Sequence, residues 1–256
     1  FMTAAKLGNS VGVSESTVVR FAIELGFSGY PSLQKSLQEL IKNKLTTVQR
    51  LDLSNDYICN GYTLKGVLKS DMENIRATME KINYSTFEDV VNNIFEAKRI
   101  YIIGLRSSMA LAEFLGFYLN VILQNVKTVG YGISDIFEEM INIGEGDLVI
   151  GIGFPRYANR TIDVLSFAQD RGATIVALTD SIISPLAQRA DYALIVRSNM
   201  ASFVDSLVAP LSVINALLIA VGLRQKESVS TTFNSLEQIW KEYNVYSYNH
   251  NNDDEF

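Results

Sequence analysis

Three polar clusters follow three short apolar runs, and each places hydroxyl or guanidinium groups where a strand would end. The first is Gly104-Leu105-Arg106-Ser107-Ser108, directly after Ile100-Tyr101-Ile102-Ile103. The second runs from Gly153 to Thr161 and carries Arg156 and Arg160. The third runs from Thr179 to Ala187 and carries Asp180, Ser181 and Ser184. A helix that begins on Ser107 or Ser108 points free backbone N–H groups and the positive end of its dipole outward. Hydroxyls placed there add donors, so the turn suits an anion, most often a phosphate. The same serines would equally serve as plain helix N-caps, and this turn alone does not separate the two uses.

Acid–base chemistry has fewer candidates. The single histidine, His250, lies in a polar, Asn-rich tail. Glu113, Glu138 and Glu139 are available as general bases, but all three fall on helical stretches where a solvated glutamate is ordinary. There is no Walker-type phosphate loop and no metal-ligand spacing. No catalytic residue, metal ligand or cofactor is therefore expected.

The elements that must position these clusters alternate. Ile100 to Gly104, Val126 to Val129, Asp147 to Gly153, Ala173 to Thr179 and Tyr192 to Val196 read as strands. Between and after them, helices are predicted to about Leu123, over Ile133 to Ile143, Arg160 to Arg171, Pro185 to Ala190, Asp205 to Leu223 and Thr232 to Tyr243. Strands alternating with helices indicate an α/β fold with a doubly wound, five-stranded parallel sheet. Ligands in such sheets sit at the carboxyl ends of the strands. Ahead of the sheet, Val67 to Ile82 is an amphipathic helix, and Ser85 is placed to cap a helix over Phe87 to Phe95.

The first fifty residues read differently, as an all-α head. Met2 to Asn9 is helical, and Val11 to Ser14 is a turn with Gly12 free to take positive φ. Ser14 can cap a second helix, Glu15 to Glu24, whose inward side is Val18, Val19, Ala22 and Ile23, with Gly26 just past its end. Helix, short turn, helix is the helix-turn-helix unit. Ser14, Ser16, Thr17 and Arg20 lie near the outward, N-terminal side of the second helix, where small hydroxyls permit close approach to a DNA groove and Arg20 reaches a phosphate or base edge. Two small helices of a generic bundle would share the pattern. Charge favours the DNA reading: six basic residues stand against three acidic ones in residues 1–50, while the whole chain carries −6. From Pro31 to Leu53 the pattern stays mostly helical, and Ser54 to Gly66 reads as a linker.

Composition excludes several classes. At 48% hydrophobic residues over 256 positions, the chain supports a sizeable core rather than disorder. One cysteine, Cys59, excludes an internal disulfide framework and fits the reducing cytoplasm. The N-terminus lacks a signal-peptide layout. The apolar stretch Phe203 to Leu223 contains Asp205, Ser206, Pro210, Ser212 and Asn215, so it reads as a buried helix and no membrane contact is expected.

Two resemblances connect these regions. Leu7, Gly12-Val13-Ser14, Ser16-Thr17-Val18-Val19-Arg20-Phe21 and Leu25-Gly26-Phe27-Ser28-Gly29-Tyr30 closely resemble the DNA-binding domain of the RpiR/MurR regulators. The chain begins inside that domain, so a partial head is expected. Ile100 to Val196 resembles the SIS (sugar isomerase) domain, the usual effector domain of the same family. Ser108 then matches a serine of the family's first loop, Thr161 the threonine ending the second, and Ser184 the serine of the third, with Ser107 and Ser181 beside them. The second loop departs from the family pattern. Gly153 and Ala158 stand where serines are expected, and Arg156 or Arg160 is placed to supply charge-assisted contacts instead.

The resemblance implies domains at 1–50 (partial DNA-binding head and connecting helices), 51–82 (linker and amphipathic helix), 83–225 (SIS domain) and 226–256 (C-terminal helix and tail). It implies a cytoplasmic, homo-oligomeric regulator whose partners are operator DNA and a phosphosugar effector, without enzymatic activity. The alternatives are a SIS isomerase or lyase, and a SIS module that only dimerises.

Overall fold

The computed structural model describes residues 2–34, 36–37, 46–53, 63–130, 135–200 and 202–247. The chain divides into two units, Phe1–Glu73 with Asn199–Ser206, and Asn74–Ser198 with Leu207–Phe256.

In the first unit, α1 (Ala4–Val11) is capped by Thr3, whose side chain accepts from the Lys6 N–H. Gly12 takes φ of 74°, turning the chain toward α2 (Glu15–Glu24). Ser14 Oγ accepts from the Thr17 N–H at 3.2 Å, the cap that the sequence predicts. Ala4, Val18, Ala22, Tyr30 and Leu33 form the core, and Leu7, Val19 and Phe27 pack against it. Ile23 does not belong to it: it is exposed, as are Phe21 and Leu25. Val18 and Ala22 share the i, i+4 row that meets α1, whereas Ile23 lies about 100° further round the helix. Of the helical stretch expected over 31–53, residues 31–34 and 36–37 are helical and α3 (Thr47–Leu53) is present. Residue 35 and residues 38–45 lie outside the described residues, as do the linker positions 54–62 with Cys59. α4 (Thr63–Lys81) begins within the expected linker and carries the chain into the second unit.

The second unit opens with α5 (Tyr84–Glu96). Its cap is Asn83, whose Oδ1 accepts from the Thr86 N–H, and not Ser85. The predicted sheet follows: β1 (Ile100–Gly104), β2 (Val126–Val129), β3 (Leu148–Ile152), β4 (Thr174–Thr179) and β5 (Tyr192–Ile195). All neighbours are parallel, in the order β2-β1-β3-β4-β5. The helices are α6 (Met109–Leu123), α7 (Ile136–Glu139), α8 (Asn159–Gln169), α9 (Val208–Arg224) and α10 (Lys226–Glu242).

Alternating strand residues feed two cores. Ile100, Ile102, Leu148, Ile150, Val176 and Leu178 share one with α5, α6 and α9. Tyr101, Ile103, Val149, Ile175 and Ala177 share the other with α7 and α8. With helices on both faces, β1 and β3 are buried along their whole length, which explains their unbroken apolar sequences. Each buried aliphatic side chain, such as Ile102, contributes about 1.5–3 kcal/mol. The helix expected over 133–143 is only the single turn α7, started by a capping box between Asp135 and Glu138. Met140 and Ile143 continue the helical spacing and are buried, but the chain has already left the helix to reach β3. At the amino ends of β1 and β3, Arg99 donates to both oxygens of buried Asp147, at 3.0 and 2.7 Å. This fixes the edge of the sheet opposite the polar loops.

Candidate functional site

β2 and β3 flank β1, so the winding direction reverses between β1 and β3. In an open parallel sheet that reversal opens a crevice at the carboxyl ends of the two strands. Gly104, Ile152 and Leu178 are level across β1, β3 and β4. The three polar clusters therefore leave the sheet at one edge, side by side.

The first loop folds back tightly. Residues Arg106–Ser108 form one 3-10 turn that runs into α6. A Cβ on Gly104 would stand 2.5 Å from the Ser108 carbonyl oxygen, so glycine is required for this return. Ser108 occupies the N-cap position of α6 with helical dihedrals and makes no side-chain cap bond. Its residue is 5% exposed, and its hydroxyl has no hydrogen bond among the described residues. Ser107 is exposed. Arg106 is exposed too, at φ of 59°, and its guanidinium makes no hydrogen bond or ion pair among the described residues.

The second loop repeats part of this arrangement. Ala158, the N-cap of α8, offers no side-chain cap, so the first N–H groups of α8 are left to other partners. Thr161, in the first turn, is 1% exposed, and its hydroxyl has no hydrogen bond among the described residues. Phe154 is buried in the α5, α6 and α9 core. Arg156 is exposed at φ of 69°. Holding a non-glycine residue in that region costs on the order of 1–3 kcal/mol. Arg160 is engaged locally, ion-paired to Asp135 and stacked over Phe137. The missing side chain at Gly153 has a packing cause: a Cβ there would lie 2.8 Å from Leu186 Cδ2, and Leu186 is fully buried.

The third loop is closed upon itself. Thr179 Oγ1 donates to Ser184 Oγ at 3.1 Å, and the Ala187 N–H donates to the same oxygen at 3.0 Å. Both residues are buried. Ser184 Oγ thus holds the 3-10 turn Ala187–Arg189, keeping only its own O–H to offer elsewhere. Ser181 Oγ accepts from the Ile183 N–H at 3.3 Å. The Tyr157 hydroxyl donates to Asp180 Oδ1 at 2.6 Å, linking the second loop to the third. Burial and that bond push the Tyr157 phenol well above its ordinary value, so it remains a donor throughout the neutral range.

Sequence reasoning passed over Tyr157, Asp180 and Arg106. The first two stood in the quoted clusters, and only their separation in sequence hid the pair. Nothing in the sequence signals a left-handed backbone at an arginine. The glutamates considered for catalysis hold other positions. Glu138 accepts from the Asp135 N–H, Glu139 pairs with Lys127 at 3.2 Å, and Glu113 is exposed on α6. His250 lies outside the described residues.

On the head, Ser14 Oγ lies 2.9 Å from Ser16 Oγ and 2.8 Å from Thr17 Oγ1, a hydroxyl cluster at the start of α2. All three are exposed, as is Arg20, which has no polar side-chain partner among the described residues.

A parallel sheet of this order, with helices on both faces and polar loops at its carboxyl edge, places this unit in the class of doubly wound α/β folds. The SIS-domain model matches residues 93–220, and the model for the helix-turn-helix domain of the rpiR family matches residues 2–44. The chain belongs to the RpiR family, joining that family's helix-turn-helix domain to a SIS domain. An uncharacterised HTH-type transcriptional regulator of Haemophilus influenzae is 28% identical over 196 residues, 75% of this chain and 67% of the relative. The sugar isomerase domain of an RpiR transcription factor from Sphaerobacter thermophilus superposes with a TM-score of 0.66 at 29% identity, covering 69% of this chain and 99% of that domain. The NanR protein of Vibrio vulnificus, solved in complex with ManNAc-6P, has a TM-score of 0.62 at 18% identity over 95% of this chain and 87% of its own, and shares the fold. Among the described residues no single helix is long and apolar enough to cross a membrane.

Proposed function

We propose that the protein is a DNA-binding transcription regulator whose SIS domain senses a phosphorylated sugar. One observation carries this reading. Ser108 and Thr161, two largely buried residues whose hydroxyls have no hydrogen-bond partner among the described residues, stand at the starts of two helices lacking side-chain caps, beside adjacent parallel strand ends. Hydroxyls left open at such positions can donate to a ligand, and helix N-termini favour a phosphate. The NanR complex with ManNAc-6P, on the same fold, supports a phosphosugar as the ligand class.

Effector binding acts by favouring one placement of two heads in a homodimer over another, which changes their fit to two operator half-sites. Ser14, Ser16, Thr17 and Arg20 meet the DNA; Ser108, Thr161, Ser184, Ser107, Ser181 and Arg156 surround the effector. In this reading the protein works in the cytoplasm and without catalysis; of the glutamates considered as bases, Glu138 and Glu139 are engaged in a cap and an ion pair, and Glu113 is exposed on α6.

A thermal-shift panel of sugar phosphates tests the sensor, and Ser108→Ala should lose the shift while operator binding persists. A flat panel would falsify it. Arg20→Ala should weaken operator binding about tenfold in an anisotropy titration; unchanged binding removes α2 as the recognition helix. One observation favours a second reading, a SIS module that serves only dimerisation. Leu186 fills the space a side chain at 153 would need, and Ser184 already holds the adjacent turn.

A further inference from the structure

A surface helix ordinarily buries its apolar stripe and turns its polar side to water. α4 (Thr63–Lys81) does the opposite. Its covered positions are Gly66, Ser70, Asp71, Asn74, Ala77 and Thr78, with Asn74 only 2% exposed. They are small or polar, and their contacts are polar too. Ser206 Oγ donates to Asp71 Oδ1 at 2.6 Å, and the Arg197 N–H donates to Thr78 Oγ1 at 2.9 Å. Leu64, Leu68, Met72, Ile75 and Met79 are exposed instead, Met72 at 63%. Their spacing keeps all five within about 80° of the helix circumference, over about four turns. Scattered exposed apolar residues are ordinary, but a continuous stripe marks an interaction surface.

Charged residues flank this stripe on the side away from the covered positions: Lys65, Lys69, Glu73, Arg76 and Glu80. The two lysines come first along the helix and the two glutamates later. Arg76 already pairs with Glu80 at 3.1 Å. Lys69 and Glu73 are exposed and make no hydrogen bond or ion pair among the described residues.

We propose that this stripe pairs with itself: α4 packs antiparallel against α4 of a second copy of this chain. The proposal rests on the homodimer in the reading above and assigns the surface that makes it. Antiparallel pairing sets Leu64 against the partner's Met79 and Leu68 against the partner's Ile75, with Met72 of both copies at the two-fold axis. Like flanks of an antiparallel pair face one another, so Lys69 comes level with the partner's Glu73, and symmetry makes that contact twice. The opposed helix dipoles favour the same orientation. A parallel pair would set the charged flank of one helix against the covered side of the other. The order of charges along α4 thus complements α4 itself, which selects a second copy as the occupant.

Sedimentation of the full chain over a dilution series tests it. Met72→Lys sets two like charges at the axis and should raise the dimer dissociation constant about a hundredfold, with the far-ultraviolet circular dichroism unchanged. Lys69→Glu and Glu73→Lys should each weaken self-association about fivefold, since each makes both flank contacts repulsive. An equimolar mixture of those two variants should regain the wild-type affinity, because an all-acidic flank then faces an all-basic one. A wild-type dimer whose affinity Met72→Lys leaves unchanged overturns the inference and leaves the homodimer reading intact. A mixture no tighter than either variant alone overturns the antiparallel pairing in the same way. A wild-type chain that stays monomeric throughout the series overturns both.

Discussion

The loops after β1 and β4 both carry a buried serine just past a strand, and they use it in opposite ways. Ser184 accepts from Thr179 and from the Ala187 N–H, and so holds its turn closed. Ser108 occupies the cap position of α6 with no cap bond and no other partner among the described residues. The β1 loop is instead held by main-chain packing, where Gly104 meets the Ser108 carbonyl. A loop fixed by its backbone leaves its hydroxyl available to a ligand. A loop fixed by its hydroxyl oxygen has only that group's O–H left to offer. Serine at such a position is therefore not by itself a ligand contact, and its existing partners decide which role it has.

The sharpest test of this contrast is Gly104→Ala. The methyl group would meet backbone, not the flexible end of a side chain, so the β1 loop must move. A loss of about 3 kcal/mol or more is expected, toward the upper end for overpacking, read as a lower urea midpoint by circular dichroism. A loss under about 1 kcal/mol would mean that main-chain packing does not hold the loop.

Ser184→Ala comes next. It strips the turn Ala187–Arg189 of its cap and removes the nearer acceptor of the buried Thr179 hydroxyl, leaving only Asp180 Oδ1 at 3.4 Å. About 1–2 kcal/mol of stability should be lost. Ser184→Thr, which keeps the oxygen, should recover part of it in the same denaturation experiment.

Much of this frame was legible in the sequence, because it follows from local rules. The bounds of α2 and β2 agree with the pattern to the residue, and Ser14 caps α2 as its type requires. The five strands were readable from short apolar runs, since helices cover both faces of the sheet. The stretch 133–143 shows where the pattern misleads. Ile136, Met140 and Ile143 keep helical spacing because all three are buried, yet only one turn is helical. Ile23 shows the converse: it is apolar on a helix but lies outside the contact with α1. At the site, residue types placed the hydroxyls at strand ends. The partners of Ser184, the pairing of Tyr157 with Asp180 and the left-handed arginines depend on tertiary contacts and main-chain strain, which leave no periodic trace.

Tyr157→Phe probes the link between the second and third loops with a smaller effect. At neutral pH the variant loses one hydrogen bond to a carboxylate, about 1 kcal/mol. The wild-type phenol is held above its ordinary value of 10.0, first by burial and then by Asp180. Its stabilising contribution is therefore complete below about pH 10 and is lost as the pH rises beyond that. The variant has no phenol to ionise there, so the two stability curves should converge above about pH 10. Curves that stay parallel through that range would show that Tyr157 does not carry the link.

Ser108→Ala should have the smallest effect on stability and is the most telling partner for Ser184→Ala. Removing a hydroxyl that has no partner among the described residues takes away no hydrogen bond within them. The stability change should fall within about 0.5 kcal/mol, with either sign, in the urea experiment that shows the Ser184→Ala loss. If Ser108→Ala destabilises as much as Ser184→Ala, the β1 serine is a structural group like its counterpart. The open-loop argument then fails whatever the ligand titrations show. If it is neutral in stability and abolishes the sugar-phosphate shift, the two serines are separated by function. The β1 turn is then a binding element that closes at Gly104 without using its serine's hydroxyl.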